Sequence, residues 1–254
     1  MSGNKKIAKP PKKKNISNTP KKENNGFKQM LRAFIPKNIS NRVVVNAFSF
    51  LRGLQKLNRR NYSVHIEANR ESIKNHAEVI RKAQGYIEDQ RNYTDILFGK
   101  VNMQISGCEI FATYNALHNI HGHSPIELPD MIKEYEKDGM VLSGAFGTAP
   151  KAIRDYLKRH GYSTVFTMKV KEFDRVGEEN DTLILTMYNN GMNIMDQVHT
   201  VCISIDNGKY TAHNVYCNGT VVGPYSSVTE LIANINRGRA KGISLIGIKK
   251  PDCS

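Results

Sequence analysis

A cysteine, a histidine and an asparagine are placed along the second half of the chain so that they could form a nucleophilic site. Cys108 stands at the head of an amphipathic run, and His199 and Asn214 follow it in that order. A thiol becomes a strong nucleophile when its pKa is lowered and a base is held nearby. A helix start lowers the pKa through unpaired N–H groups and the positive end of the helix dipole, and an imidazole supplies the base. These residue types favour covalent attack by Cys108 on a carbonyl carbon.

The residues around Cys108 have the pattern of a helix start. Ser106 is a favoured N-cap residue, and Glu109 stands three positions later, as in a capping box. The apolar residues that follow recur at helical spacing: Ile110, Phe111, Tyr114, Leu117 and Ile120. We therefore predict a helix with Cys108 at its second position, where the sulfur meets free backbone amides. The alternative is that Cys108 is a small buried hydrophobic residue in the first turn of a core helix.

His199 begins a run of β-branched residues that predicts a strand over 199–205. Asn207 and Gly208 form a typical two-residue hairpin turn, which leads into a second strand over 210–216. The sequence therefore predicts an antiparallel hairpin that begins at the histidine.

The register of this hairpin selects the partner of the imidazole. A two-residue loop places position 201 opposite 214, so Asn214 lies diagonal to His199 on the same face. His213 points to the other face, opposite Cys202. We therefore predict that Asn214 orients the His199 ring, although one β-bulge would give that role to His213.

Three segments together carry the pattern of a known family: residues 106–117 around the cysteine, the glycine-rich turn 144–150 before a helix, and residues 199–205 leading to Asn214. They resemble the papain-like cysteine peptidases, most closely the bacterial branch that includes the bacteriocin leader peptidases cutting after double glycine. The resemblance covers about residues 98–250. It implies an α+β fold in which a helical layer bearing the cysteine packs on an antiparallel sheet bearing the histidine.

The resemblance also implies roles for individual residues. The nucleophile, the base and the group that orients the base would be Cys108, His199 and Asn214. A glutamine upstream of the cysteine usually donates a hydrogen bond to the oxyanion, and Gln104 is the candidate here, with Asn102 as the alternative. Gln104 lies closer to the cysteine than the family pattern expects. Glu109 is a second departure, because glycine is common at that position.

Composition limits the remaining choices. The chain has 254 residues and 39% hydrophobic residues, enough for one domain with a real core and an appendage. No apolar stretch approaches the length of a membrane-spanning helix.

The spacing of the four cysteines indicates neither disulfides nor a zinc site, because none of them forms a CxxC pair. They are Cys108, Cys202, Cys217 and Cys253. We expect a reducing, cytoplasmic location and no metal or cofactor. His118, His121 and His123 are spaced like metal ligands, but histidines are ordinary near a helix C-terminus.

Charge divides the first part of the chain from the rest. The formal net charge is +14, and eight lysines against one glutamate give +7 within the first 26 residues. We read residues 1–26 as a disordered basic arm that binds polyanions weakly, and it lacks the apolar core of a signal peptide. The pattern in residues 27–97 predicts helices. These helices either form a propeptide or docking element that covers the cleft, or they belong to the catalytic core. Residues 98–254 form the catalytic domain.

The sequence thus predicts a cysteine peptidase that acts on a peptide or protein substrate. An acyl or amide transferase with the same three residues is one alternative. A nucleic-acid-binding protein that acts through the basic arm is another. The arm contains no aromatic residue and the chain no tryptophan, which weakens the last alternative.

Overall fold

A computed structural model describes residues 40–57, 63–190, 198–215 and 219–251. All of them belong to one of the two units into which the chain divides, Pro36–Ser254. The predicted basic arm, Cys217 and Cys253 lie outside the described residues. No helix among the described residues combines the length and the apolar character that crossing a bilayer requires.

The α-helices of the described part are α1 (Asn41–Leu57), α2 (Ile66–Lys74), α3 (Ala77–Lys82), α4 (Met103–Ser106), α5 (Cys108–His121), α6 (Leu128–Asp138), α7 (Pro150–Arg159), α8 (Phe173–Glu178) and α9 (Val228–Asn234). The helix expected after the glycine-rich turn 144–150 is confirmed as α7, and α6 precedes that turn. Both have a proline in the first turn, where the missing N–H and the fixed φ angle suit a helix start.

The strands are β1 (Leu97–Phe98), β2 (Val101–Asn102), β3 (Ser163–Thr167), β4 (Thr182–Tyr188), β5 (Val198–Asp206), β6 (Lys209–His213), β7 (Val221–Tyr225) and β8 (Lys241–Lys249). The first two form a small ribbon. The other six form one antiparallel sheet in the order β3-β8-β4-β5-β6-β7. The protein is therefore an α+β protein with an antiparallel sheet, as predicted.

The sheet is covered on both faces, and successive strand residues alternate between two apolar cores. Ile184 and Cys202 face the core that holds α5, α6 and α7. Leu183 and Val201 face the core that holds α8 and α9. Helix α5 packs against β5 and β4 at the centre of the sheet. The residue that starts α5 therefore lies close to the central strands.

The region before the sheet packs into the same structure. In α1, Val44, Val45 and Phe48 are buried, and they form a third apolar cluster with residues of the α6–α7 connection and of β8. Ile87 and Tyr93 belong to the core around α5. This is the packing expected if the described part of 27–97 contributes core. Whether the region also inhibits the site stays a prediction.

Candidate active site

The helix that carries the cysteine begins one residue later than predicted. Ser106 is the last residue of α4, Gly107 is the N-cap of α5, and Cys108 is the first helical residue. The predicted capping box is wrong, because Ser106 is itself helical and the cap of α5 makes no side-chain hydrogen bond. A residue with a β-carbon at 107 would place that carbon 2.5 Å from Met103 O, so the tight joint between the two helices requires glycine.

The Cys108 sulfur lies at the helix start beside the sheet and is almost fully buried. Its thiol donates a hydrogen bond to Glu109 Oε2 over 3.2 Å. The backbone amides of Thr200 and Glu109 favour the ionised thiol. Burial, followed by the charge and hydrogen bond of Glu109, raises the pKa of the Cys108 thiol well above its ordinary value, and the two amides oppose this only in part. The expected lowering of the thiol pKa is therefore wrong for this state, because desolvation outweighs the helix start.

His199 lies on β5, one of the strands against which α5 packs. It is near the start of this strand and immediately precedes Thr200. His199 Nε2 lies 2.6 Å from Asn214 O. A carbonyl oxygen only accepts, so Nε2 carries the proton, and Nδ1 is the proton-accepting atom of the neutral ring. Burial lowers the pKa of His199 to about 4, and the Asn214 hydrogen bond opposes this. The ring is therefore neutral at pH 7.

The hairpin register is confirmed, and it brings Asn214 to His199 in an unexpected way. Asp206 pairs with Lys209 and Cys202 with His213, as predicted. After His213 the chain leaves the ladder, since Asn214 has a left-handed conformation with φ of 63°. The main-chain carbonyl of Asn214, rather than its side chain, then holds the His199 ring.

The Asn214 side chain is used elsewhere, by a residue that the sequence analysis missed. Gln90 N donates to Asn214 Oδ1 over 3.0 Å, and Asn214 Nδ2 donates to Gln90 Oε1 over 3.1 Å. Gln90 Nε2 also donates to Gln104 O over 2.9 Å. Gln90 thus ties the hairpin to the segment that leads into the Cys108 helix. No spacing or composition signal marked this glutamine.

The two oxyanion candidates differ in how their side chains are used. Asn102 caps α4, because its Oδ1 accepts from Ile105 N, and its Nδ2 donates to Thr94 O. Gln104 is half-buried in the middle of α4. Asn102 is therefore committed to the local fold, and Gln104 stays the candidate.

Glu109 is a functional candidate that the sequence marked only as a departure from a pattern. It is 4% exposed. A β-carbon on Gly147 would lie 2.8 Å from Glu109 Oε2, so the glycine-rich turn is shaped around the carboxyl group. Burial raises the pKa of Glu109 to about 7. A carboxyl group that titrates near neutral pH thus contacts the sulfur.

A second polar cluster lies farther along the hairpin, and we call it the His213 clamp: Glu88, Ser204 and His213. His213 Nδ1 lies 2.7 Å from Glu88 Oε1, and its Nε2 lies 2.8 Å from Ser204 Oγ. Glu88 Oε2 accepts from Asn214 N over 3.2 Å. The Tyr86 ring stacks on the imidazole with centroids 4.0 Å apart. The clamp fixes the chain just where Asn214 turns away from the sheet.

The described residues include no group of three or more His, Cys, Asp or Glu side chains arranged to hold a metal ion. The site is therefore described by its protein groups: a thiol, a carboxyl group, an imidazole and backbone amides. A scan of the sequence against protein-family models finds no match, and a search of curated proteins finds none either, so the functional argument depends on these residues and contacts.

Proposed function

We propose that the protein is a papain-like cysteine peptidase in which Cys108 attacks a peptide carbonyl and forms a thioester. His199 is the imidazole base, Asn214 orients it, and Gln104 donates to the oxyanion. The observation that carries the proposal is the packing of α5 on β5, because it brings the helix that Cys108 opens to the strand that carries His199. The carbonyl of Asn214 holds the His199 ring.

The layering of the fold supports this proposal. The cysteine opens a helix that packs on the central strands, and the histidine lies near the start of one of those strands. Nucleophile and base thus come from different layers, and the interface between the layers sets their separation. An alternative acyl transferase would use the same groups and differ in its acceptor.

The contacts also indicate how the oxyanion would be stabilised. The first amides of a helix lack intrahelical partners and point toward the helix start. The amide of Cys108 is such a donor, and Gln104 lies on the preceding short helix. An oxyanion donor is typically worth about 10²-fold or more in rate. Because the resting thiol is protonated, we expect attack to be coupled to proton removal.

The experiment uses the two buried free cysteines as a matched pair, Cys108 and Cys202. We expect iodoacetamide and an E-64-type epoxide to label Cys108 but not Cys202, as measured by mass spectrometry of the full-length protein. Cys108→Ala should abolish hydrolysis of a mixed peptide library. Cys202→Ala should keep it within about three-fold, because this thiol lies in the apolar core and contacts only the Thr182 hydroxyl among the described groups. Preferential labelling of Cys202, or full hydrolysis by Cys108→Ala, would refute the proposal. Labelling with release only to added amines would indicate the transferase.

A further inference from the structure

We propose that Glu109 is a second catalytic acid–base residue, which takes the proton of Cys108 as the sulfur attacks and returns it to the leaving group. This inference rests on the proposed function, since it assigns a role within the same site. The motivating contact is the hydrogen bond from Cys108 Sγ to Glu109 Oε2 at 3.2 Å.

The carboxyl group is held in place for this contact. Glu109 follows Cys108 in the first turn of α5 and is almost fully buried. The absence of a side chain at Gly147 leaves the room that Oε2 occupies. Burying a carboxyl group is costly unless it is paired, so its contact with a nucleophilic sulfur calls for a functional reason.

A comparison with Glu136 separates the burial of a carboxyl group from its position. Glu136 is also buried, and burial raises its pKa to about 7 as well. Its Oε1 accepts from Gly99 N over 2.8 Å, a purely structural contact with the β1–β2 turn. The two carboxyl groups thus share a raised pKa, but only Glu109 contacts a thiol.

The acid–base properties of the two candidate bases also differ. A general base is most effective when its pKa lies near the working pH. The pKa of Glu109 is about 7, whereas burial holds that of His199 at about 4. The ionisable groups that interact with Glu109 are Cys108 on α5 and Tyr135 on α6. Tyr135 stays neutral, because burial raises the pKa of its hydroxyl well above the ordinary value.

In the first half-reaction, Glu109 alone accepts and returns the proton. As the S–C bond forms, the S–H proton passes to Glu109 Oε2, and the carbonyl electron pair moves onto oxygen. When the C–N bond breaks, the oxyanion pair returns, and the Glu109 proton goes to the leaving amine. A thioester, a free amine and ionised Glu109 result. In the second half-reaction, the water oxygen bonds to the thioester carbon as His199 Nδ1 takes a water proton. The C–S bond then breaks, this proton returns to the sulfur, and a carboxylic acid is released.

The test measures the rate of Cys108 alkylation by iodoacetamide between pH 4 and 9 in the full-length protein. A base must be ionised to act, so the wild-type rate should rise with pH through about 7, the pKa of Glu109. We call this rise of the rate with pH the pH 7 limb. Glu109→Gln should remove the limb and lower the rate at pH 7.5 by about 100-fold, the lower end for a general base. Glu136→Gln is the matched control and should behave as wild type. His199→Ala should keep the limb near pH 7.

Each other outcome has a distinct meaning. Equal or faster alkylation of Glu109→Gln would overturn the inference, because Glu109 would then only restrain thiolate formation by its charge. A limb that disappears in His199→Ala instead would also overturn it. Failure of wild-type Cys108 to react at all would refute the proposed function itself. Glu109→Asp keeps the carboxylate but withdraws it from the sulfur, so it should retain the limb at a reduced rate. This variant tests the inference should Glu109→Gln fail to fold.

Discussion

Two histidines lie on the neighbouring strands of one hairpin, and their surroundings differ sharply. His213 contacts a carboxylate through one ring nitrogen and a serine hydroxyl through the other. His199 contacts a main-chain carbonyl, and burial lowers its pKa to about 4. Judged by side-chain contacts alone, the His213 clamp looks more like a serine hydrolase triad, with Ser204 as the nucleophile.

The backbone around each histidine reverses that interpretation. Ser204 lies in the middle of β5 and pairs with Thr182 on one side and Thr211 on the other, so its main chain is engaged in the sheet ladder. An oxyanion needs amides that are not committed to the ladder, and Cys108 has them because it opens a helix. We infer that the clamp positions the chain, whereas the His199 side of the hairpin carries chemistry.

The largest expected effect separates the two histidines. His199→Ala should lower kcat for peptide hydrolysis by about 10³-fold, within the range for loss of an acid–base group. His213→Ala should lower it by less than about ten-fold but reduce the free energy of unfolding by about 1–3 kcal/mol, because Glu88 loses a buried partner. Steady-state kinetics and urea unfolding measure the two quantities. Comparable kinetic losses would show that the clamp takes part in catalysis.

An intermediate effect is expected at Asn214, where carbonyl and side chain have separate partners. Asn214→Gly keeps the carbonyl and suits the positive φ, but it loses the two hydrogen bonds with Gln90. We expect a loss in kcat of about ten-fold, near the energy of one or two hydrogen bonds. Asn207→Gly is the matched control, because Asn207 also has a positive φ but lies in the exposed hairpin turn. A loss as large as that of His199→Ala would show that the carboxamide itself orients the ring.

The smallest effect is expected at Ser204. Ser204→Ala removes the hydroxyl next to His213 Nε2 and should change kcat/KM by less than about two-fold, at a cost of about 1 kcal/mol in stability for one lost hydrogen bond. The same kinetic and unfolding measurements apply. A loss of about 100-fold would assign a nucleophilic role to the clamp.

Local sequence patterns predicted the elements of this fold well. The Asn207-Gly208 turn set the β5–β6 register, because a two-residue loop permits only one pairing. Helical spacing identified α5, and its buried face contains Ile110, Phe111 and Leu117 as expected. The helix start was misplaced by one residue, since the pattern at Ser106 could not reveal that a short helix already ends there.

The contacts of the candidate site were harder to predict, because they join residues that are distant in the chain. Gln90 reaches Asn214 across the fold, and no local pattern encodes a hydrogen bond between such positions. The side chain of Asn214 was assigned to His199 on the assumption that β6 continues, yet the left-handed turn at Asn214 presents its carbonyl instead.

The sequence by itself determined which residues could do chemistry and the helix and strands on which they lie, because capping preferences, periodicity and turn residues act over a few positions. The tertiary structure decided their protonation and their partners. Desolvation depends on everything packed around a group, so only the assembled fold raises the pKa of Cys108, lowers that of His199 and turns Glu109 into a neighbour of the sulfur.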